Sequence, residues 1–300
     1  MFSLIENAMK FHRKYIVSPV IFSLMLFPGV VVFAACPPDE EVAARAAGYL
    51  NNQPLDNYSG EMSLDDAYCA QAKFVARLKG DYGEMIGYKV GFTGKALQER
   101  FKIPKPAVGI LLEKMMVPDG STISTDFGFR TLIEPDMIVT VKDDGIMEAT
   151  NELEVAAHLD EVRPFLELPA IQLKEDVKLT GTTLVAFNIA ARSGVYGEGV
   201  EIKASPEFVQ ALADMETVFT DEAGTVIQAE PGSNLLGHPL RAVLWLIEEM
   251  KSRGESLQAG QLISLGAFGQ LFPLKETGKT YTLTYKGLPG GPISTSIHVK

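Results

Sequence analysis

The hydrophobic period of this chain changes once, near Tyr82, and that change restricts the fold more than any other feature. Between Asp39 and about residue 80, apolar side chains recur every three or four positions. Val42, Ala43, Ala46, Ala47 and Leu50 make one helical face, and Ala67, Ala70, Phe74, Val75 and Leu78 make a second. Asn51-Asn52-Gln53-Pro54 separates the two. Ser63, with Asp66 three residues on, forms a capping-box start, and Gly80 is the expected stop. Beyond Tyr82 the pattern predicts short strands: Ile86 to Phe92, Val108 to Leu112, Met137 to Val141, Val218 to Thr220, Thr225 to Ala229, Leu262 to Leu265, Thr280 to Tyr285 and Ser294 to Val299. Asp143-Asp144-Gly145 and Asp221-Glu222-Ala223-Gly224 are turn signals between them. Helices return at Asn151 to His158 and Pro239 to Arg253. Helices first and mixed strands afterwards define an α+β chain.

Charge divides the chain a second time. Residues 1–35 carry a net +2 of the total −11, which leaves −13 on the remainder. Lys10, Arg13 and Lys14 precede an uncharged stretch from Tyr15 to Pro38 that passes through Ala34-Ala35-Cys36 to the acidic Asp39-Glu40-Glu41. A basic segment, an apolar segment and small residues form the pattern of an export signal. Three fates follow: cleavage after Ala34, lipidation at Cys36, or retention as an anchor, since roughly 20 apolar residues can span a bilayer. Pro19 and Pro28 interrupt the stretch and weaken the anchor. In each case the folded part is exported, periplasmic or membrane-anchored facing the periplasm. The acidic body is a poor partner for nucleic acid, which needs clustered Lys and Arg. Two cysteines and four scattered histidines exclude a disulfide scaffold and a four-thiolate zinc site. Cys36 and Cys69 are able to pair in an oxidising compartment, although their spacing does not demand it.

The remaining chemistry rests on carboxylates and one lysine. In a strand, Glu134 and Asp136 of Glu134-Pro135-Asp136 point to one face. Glu167 lies among apolar residues between Pro164 and Pro169, where an isolated ionised acid is costly without a cation or a hydrogen-bond network. Three oxygen-donor acids suit a hard cation, Mg²⁺ or Mn²⁺. A solvated edge strand and an unrelated Glu167 would explain the same residues. Lys89, within Ile86-Gly87-Tyr88-Lys89-Val90-Gly91, either turns inward as an anion ligand or acid/base, or snorkels at the surface. His238, ahead of Pro239, reads as a capping or packing residue before a base. No G-x-S-x-G elbow occurs.

Several segments, in matching order over roughly residues 40–300, resemble the 2-keto-4-pentenoate hydratase and 2-oxo-3-hexenedioate decarboxylase family of the fumarylacetoacetate hydrolase superfamily. They are Leu64-Asp65-Asp66-Ala67-Tyr68-Cys69-Ala70-Gln71, Gly87 to Thr93, Ile133-Glu134-Pro135-Asp136, Leu166-Glu167, and the run from Gly232-Ser233-Asn234-Leu235-Leu236-Gly237-His238-Pro239 to Gly266. Beyond the leader that the charge pattern places at 1–35, the resemblance implies a helical portion at 36–82 and a fumarylacetoacetate hydrolase-like catalytic domain at 83–300, with a curved mixed β-roll and homo-oligomeric assembly. It also implies a divalent metal on Glu134, Asp136 and Glu167, at spacings of 2 and 31. Asp136 stands where the family carries a longer Glu. Lys89 matches the family's active-site lysine.

The implied activity is a metal-dependent lyase that adds water to a 2-hydroxy-2,4-dienoate or acts on a related 2-oxo acid. Alternatives are a 2-oxo acid decarboxylase, an exported non-catalytic binder of a small carboxylate, and a C–C hydrolase. The last is disfavoured because no acid–histidine pair is evident. Family aspartates are replaced at Ala107 and Phe187, and Gln261 and Leu265 depart from the family's glycine-aspartate segment. The expectation from these four departures is that polar groups around the substrate have been lost. The only membrane contact expected is through the N-terminal segment.

Overall fold

The computed structural model describes residues 36–300; the leader expected at 1–35 lies outside them. Seven α-helices are present among the described residues: α1 (Asp39–Leu50), α2 (Leu64–Tyr82), α3 (Lys95–Phe101), α4 (Glu152–Ala157), α5 (Gly181–Ala186), α6 (Pro206–Asp214) and α7 (Leu240–Arg253). The strands are β1 (Met85–Gly91), β2 (Ala107–Leu112), β3 (Met116–Val117), β4 (Thr122–Ile123), β5 (Leu132–Val141), β6 (Leu159–Leu168), β7 (Ser193–Tyr196), β8 (Val200–Glu201), β9 (Glu216–Thr220), β10 (Val226–Pro231), β11 (Leu262–Ser264), β12 (Phe272–Pro273), β13 (Lys279–Lys286) and β14 (Ile293–Val299).

A curved mixed sheet runs β2-β1-β11-β5-β6-β7-β3, with β12 on β5 and β8 on β6; a second sheet runs β10-β9-β13-β14-β4. The α+β expectation is met. The larger apolar core joins both sheets to α7 through fully buried Val139, Val162, Leu246, Ile263, Leu283 and Ile297. A second core joins α1, α2 and α5 to β2, with Val42, Tyr49, Phe74 and Leu78 at its centre.

Local signals explain most elements. Ser63 Oγ accepts from the Asp66 amide at 3.1 Å while the Ser63 amide donates to Asp66 Oδ2 at 3.0 Å, a complete capping box. Helix α2 continues past Gly80 to Tyr82, and Gly83 ends it at φ 81°. A glycine within a helix costs only about 1 kcal/mol, so the apolar face carried through Leu78 outweighs it. Strand β5 begins at Leu132, five residues before the predicted start, and β6 was not predicted because Pro164 reads as a strand breaker. Proline removes one ladder donor, and the long β5–β6 pairing survives that loss.

Cys36 and Cys69 form a disulfide that ties the start of the described chain to α2, closing a loop of sequence separation 33. Loop-closure entropy assigns such a link roughly 4 kcal/mol. Replacing Cys69 by Ser is expected to lower the melting temperature by about 8–16 °C, and reductant to do the same to the parent protein alone. A melting temperature unchanged by both would mean that the link contributes nothing.

Candidate metal and substrate site

Two neighbouring strands make the acidic centre. Glu134 and Asp136 sit two apart on β5, and the antiparallel register places Glu167 of β6 directly opposite Glu134. Carboxylate oxygens of the three acids all lie within 4.8 Å of one another, and all three residues are buried. Lys89 reaches the same point from β1 with 4 % of its surface exposed. Its ammonium donates to a Glu167 carboxylate oxygen and to the Ile189 carbonyl at 3.3 Å. The inward orientation of Lys89 is therefore the one adopted. Gly109, paired with Lys89 across β1–β2, leaves room for it: a Cβ there would come within 2.7 Å of Lys89 Cγ.

Asp136 is the most firmly held of the acids. Its Oδ1 accepts from the Met137 amide at 2.5 Å and the Gly266 amide at 2.9 Å, and its Oδ2 accepts from Ser264 Oγ at 2.7 Å. Tyr285 donates its hydroxyl to the Asp136 carbonyl at 2.5 Å. Glu167 Oε2, by contrast, is buried without a partner. An unpaired buried carboxylate oxygen is expensive, so this atom marks a place for a further cation. The oxygen-only donor set fits a hard divalent ion.

The electrostatics agree. Burial, and next the charge of Glu167, push Glu134 well above the usual carboxylate range. The same two causes, in the same order, raise Asp136 to about 7, against the lowering effect of the hydrogen bonds from Ser264 and Met137. Burial lowers the proton affinity of Lys89, but Glu167 and then Glu134 outweigh it, so its pKa ends above the ordinary lysine value. Burial and the Asp136 charge raise Tyr285 well above a free phenol.

Lys89 and Glu134 form the polar floor of a cavity of about 320 Å³. One wall is a turn in which Asn188, Ile189 and Ala190 all have positive φ, at 56°, 49° and 56°. Non-glycine residues in this region carry strain, on the order of 1 kcal/mol or more each. Asn188 holds the turn in place by clasping the backbone of Ile110: its Oδ1 accepts from Ile110 N at 2.7 Å and its Nδ2 donates to Ile110 O at 2.8 Å. The turn thereby presents the Ile189 carbonyl to Lys89. No periodic signal points to it; the tolerance of Asn for left-handed backbone is the one local hint.

The four positions that depart from the family pattern lie in different surroundings. Ala107 is buried opposite Gly91 on the Lys89 face of the sheet, but does not line the cavity. Phe187 stacks on Tyr58, with ring centroids 4.9 Å apart, inside the helical core. Leu265 belongs to the larger core, and Gln261 accepts from the Gln258 amide in the turn before β11. Ser264 and Gly266, on either side of Leu265, are the residues of that segment that reach the site. Of the histidines, His238 caps α7, accepting from Leu240 N at 3.1 Å. An acid–histidine pair does exist, between Asp143 and His158 at 2.7 Å, but it is half-exposed and outside the cavity.

No protein-family model matches the chain. It is similar to 2-keto-4-pentenoate hydratase from Paraburkholderia xenovorans (strain LB400), 30% identical over 74% of this chain and 80% of the relative. It is equally similar to 2-oxo-hept-4-ene-1,7-dioate hydratase from Escherichia coli, 30% identical over 78% and 86% of the respective chains. Among solved structures, 4-oxalocrotonate decarboxylase from Pseudomonas putida G7, complexed with magnesium and adipate, superimposes with a TM-score of 0.75 at 25% identity, over 88% of this chain and 98% of that one. The chain belongs to the 2-keto-4-pentenoate hydratase and 4-oxalocrotonate decarboxylase family, as its motifs implied.

The raised pKa of Asp136 has a consequence for stability. The folded chain holds this proton up to about pH 7, whereas the unfolded chain releases it near 3.8. Between those values the folded state binds more protons, so rising pH removes stability. Asn imitates the protonated acid: its Oδ1 can still accept from the Met137 and Gly266 amides, while its Nδ2 donates to Ser264 Oγ instead of accepting from it. Without divalent ions, Asp136→Asn is expected to gain in melting temperature over the parent as pH rises from 5 to 8. A constant difference between the two would overturn the assignment.

Proposed function

We propose that this chain is a divalent-metal-dependent lyase that adds water to a 2-hydroxy-2,4-dienoate or acts on a related 2-oxo acid. One observation carries the reading: three buried acids and one buried lysine converge where a cavity meets the sheet. Glu134, Asp136 and Glu167 would hold Mg²⁺ or Mn²⁺, as the unpartnered Glu167 Oε2 suggests. A divalent ion there supplies Lewis-acid polarisation of a 2-oxo acid.

The chain's own groups supply the rest. Ser264, Gly266 and the Met137 amide fix Asp136 so that it does not rotate away when its charge is engaged. The Lys89 ammonium, fixed by Glu167 and Ile189, places a positive charge and a transferable proton at the cavity floor. It is the group assigned to stabilise the enolate and return its proton to carbon. Apolar walls exclude bulk water and strengthen that charge.

Decarboxylation is the second reading, favoured by the likeness over 88% of the chain to 4-oxalocrotonate decarboxylase. The family resemblance supports a homo-oligomer. The disulfide and the leader pattern together support export, because such links persist in oxidising compartments. A sulfur in a disulfide cannot also carry a lipid thioether, so the Cys36–Cys69 link favours cleavage after Ala34 over lipidation at Cys36.

With Mg²⁺ or Mn²⁺ the protein is expected to deplete the absorbance of 2-hydroxypenta-2,4-dienoate, and EDTA to abolish that loss. Glu167→Gln should weaken metal binding by more than about tenfold. Glu154→Gln, at an exposed position on α4, should leave it unchanged. Equal effects of the two would sink the triad. Lys89→Met should retain the metal yet lose roughly a hundredfold or more in turnover. For export, the intact mass of the mature protein should correspond to a chain starting at Ala35 with both sulfurs oxidised; a cytosolic chain retaining Met1 would refute it.

A further inference from the structure

We infer that the substrate is a 2-oxo or 2-hydroxydienoic monocarboxylic acid with an apolar group at the end remote from its carboxylate, and that the site rejects dicarboxylic acids. This rests on the proposed 2-oxo acid site and concerns the opposite end of the same cavity.

Above its polar floor the cavity is walled by Phe92, Leu97, Phe101, Leu184, Ile189 and Leu271. Among the described residues, Lys89 is the one cation that lines it, and Glu167 already engages that ammonium. The neutral polar groups offer little to an anion. Asn234 directs its amide nitrogen to Glu230 Oε2 at 2.5 Å and to the Phe268 carbonyl at 3.4 Å, and Thr93 has a single hydroxyl.

Helix α3 shows how lysines are kept out. Its Ala96, Leu97 and Phe101 line the cavity, whereas Lys95, Gln98, Glu99 and, just beyond its end, Lys102 border a separate surface hollow, and Arg100 lies over the Phe101 ring at 5.3 Å without lining the cavity. A second carboxylate carried into the cavity would meet hydrocarbon and Glu134 with no counter-charge, and an unpaired buried charge is strongly disfavoured. A methyl or methylene in the same place loses contact with water and is favoured. At about 320 Å³ the cavity is near the small end of ligand cavities, roughly 300–1,000 Å³, which suits a short tail.

The test is calorimetric binding to the Mg²⁺-loaded protein, which does not depend on turnover. Its probes are pyruvate, 2-oxopentanoate, 2-oxohexanoate and 2-oxoadipate. Affinity is expected to rise about threefold to fourfold from 2-oxopentanoate to 2-oxohexanoate, which adds one methylene. 2-Oxoadipate, which replaces the terminal methyl of 2-oxohexanoate by a carboxylate, should bind at least tenfold more weakly than it. Leu97→Arg, and independently Leu271→Arg at the 38 %-exposed rim, should reduce that ratio at least tenfold by supplying the missing cation.

If 2-oxoadipate binds the parent protein within tenfold of 2-oxohexanoate, the selectivity is wrong while the 2-oxo acid site stands. If none of the four acids binds, pyruvate included, the 2-oxo acid reading itself fails and takes the selectivity with it.

Discussion

The structure depends on charge taken out of water. Three carboxylates within 4.8 Å of one another, all buried, face a single ammonium. Carboxylates so close repel unless protons or cations intervene, and low polarity makes the repulsion worse. Much of the surrounding architecture limits that cost. The register of β5 on β6 places the acids, Gly109 admits the lysine stem, and the Asn188 turn turns a carbonyl toward its ammonium. Ser264 and Gly266 absorb part of the charge on Asp136. Glu167 Oε2, left without a partner, is where that compensation stops short and where a divalent ion belongs.

Catalysis and selectivity are built from different materials at the two ends of one cavity. The floor comes from the sheet, whose ladder hydrogen bonds fix side-chain positions closely. The walls come from α3, α5 and the loops around them, and they are hydrocarbon. That division explains how a chain can depart from its family at Ala107, Phe187, Gln261 and Leu265 and keep its acidic centre. Those four positions serve the two cores, the sheet face and a turn, outside the cavity wall.

The site was more legible than the walls. Glu134 and Asp136 could be placed on one face because strand periodicity is two, and Glu167 stood out as an acid among apolar residues. Adjacent positions between Gln261 and Gly266 serve different surroundings, which a linear pattern does not separate. Leu265 alternates with Ser264 and Gly266, so its side chain enters the core while theirs serve Asp136. Strand β6 was obscured because Pro164 and Pro169 act as breakers locally, while the pairing that overrides them is long-range.

Composition and periodicity alone determined the α+β class, the capping box of α2, the oxygen-donor character of the acidic centre and the poor match to nucleic acid. Each of these depends on residue type or on spacing within one segment. Tertiary structure decided which acid meets the lysine, that Cys36 reaches Cys69, that Lys95 and Lys102 border a hollow apart from the cavity, and that three left-handed residues brace Lys89. These are contacts between segments far apart in the chain. Their free energies come from burial and from pairing charges across the fold, and no local pattern records them.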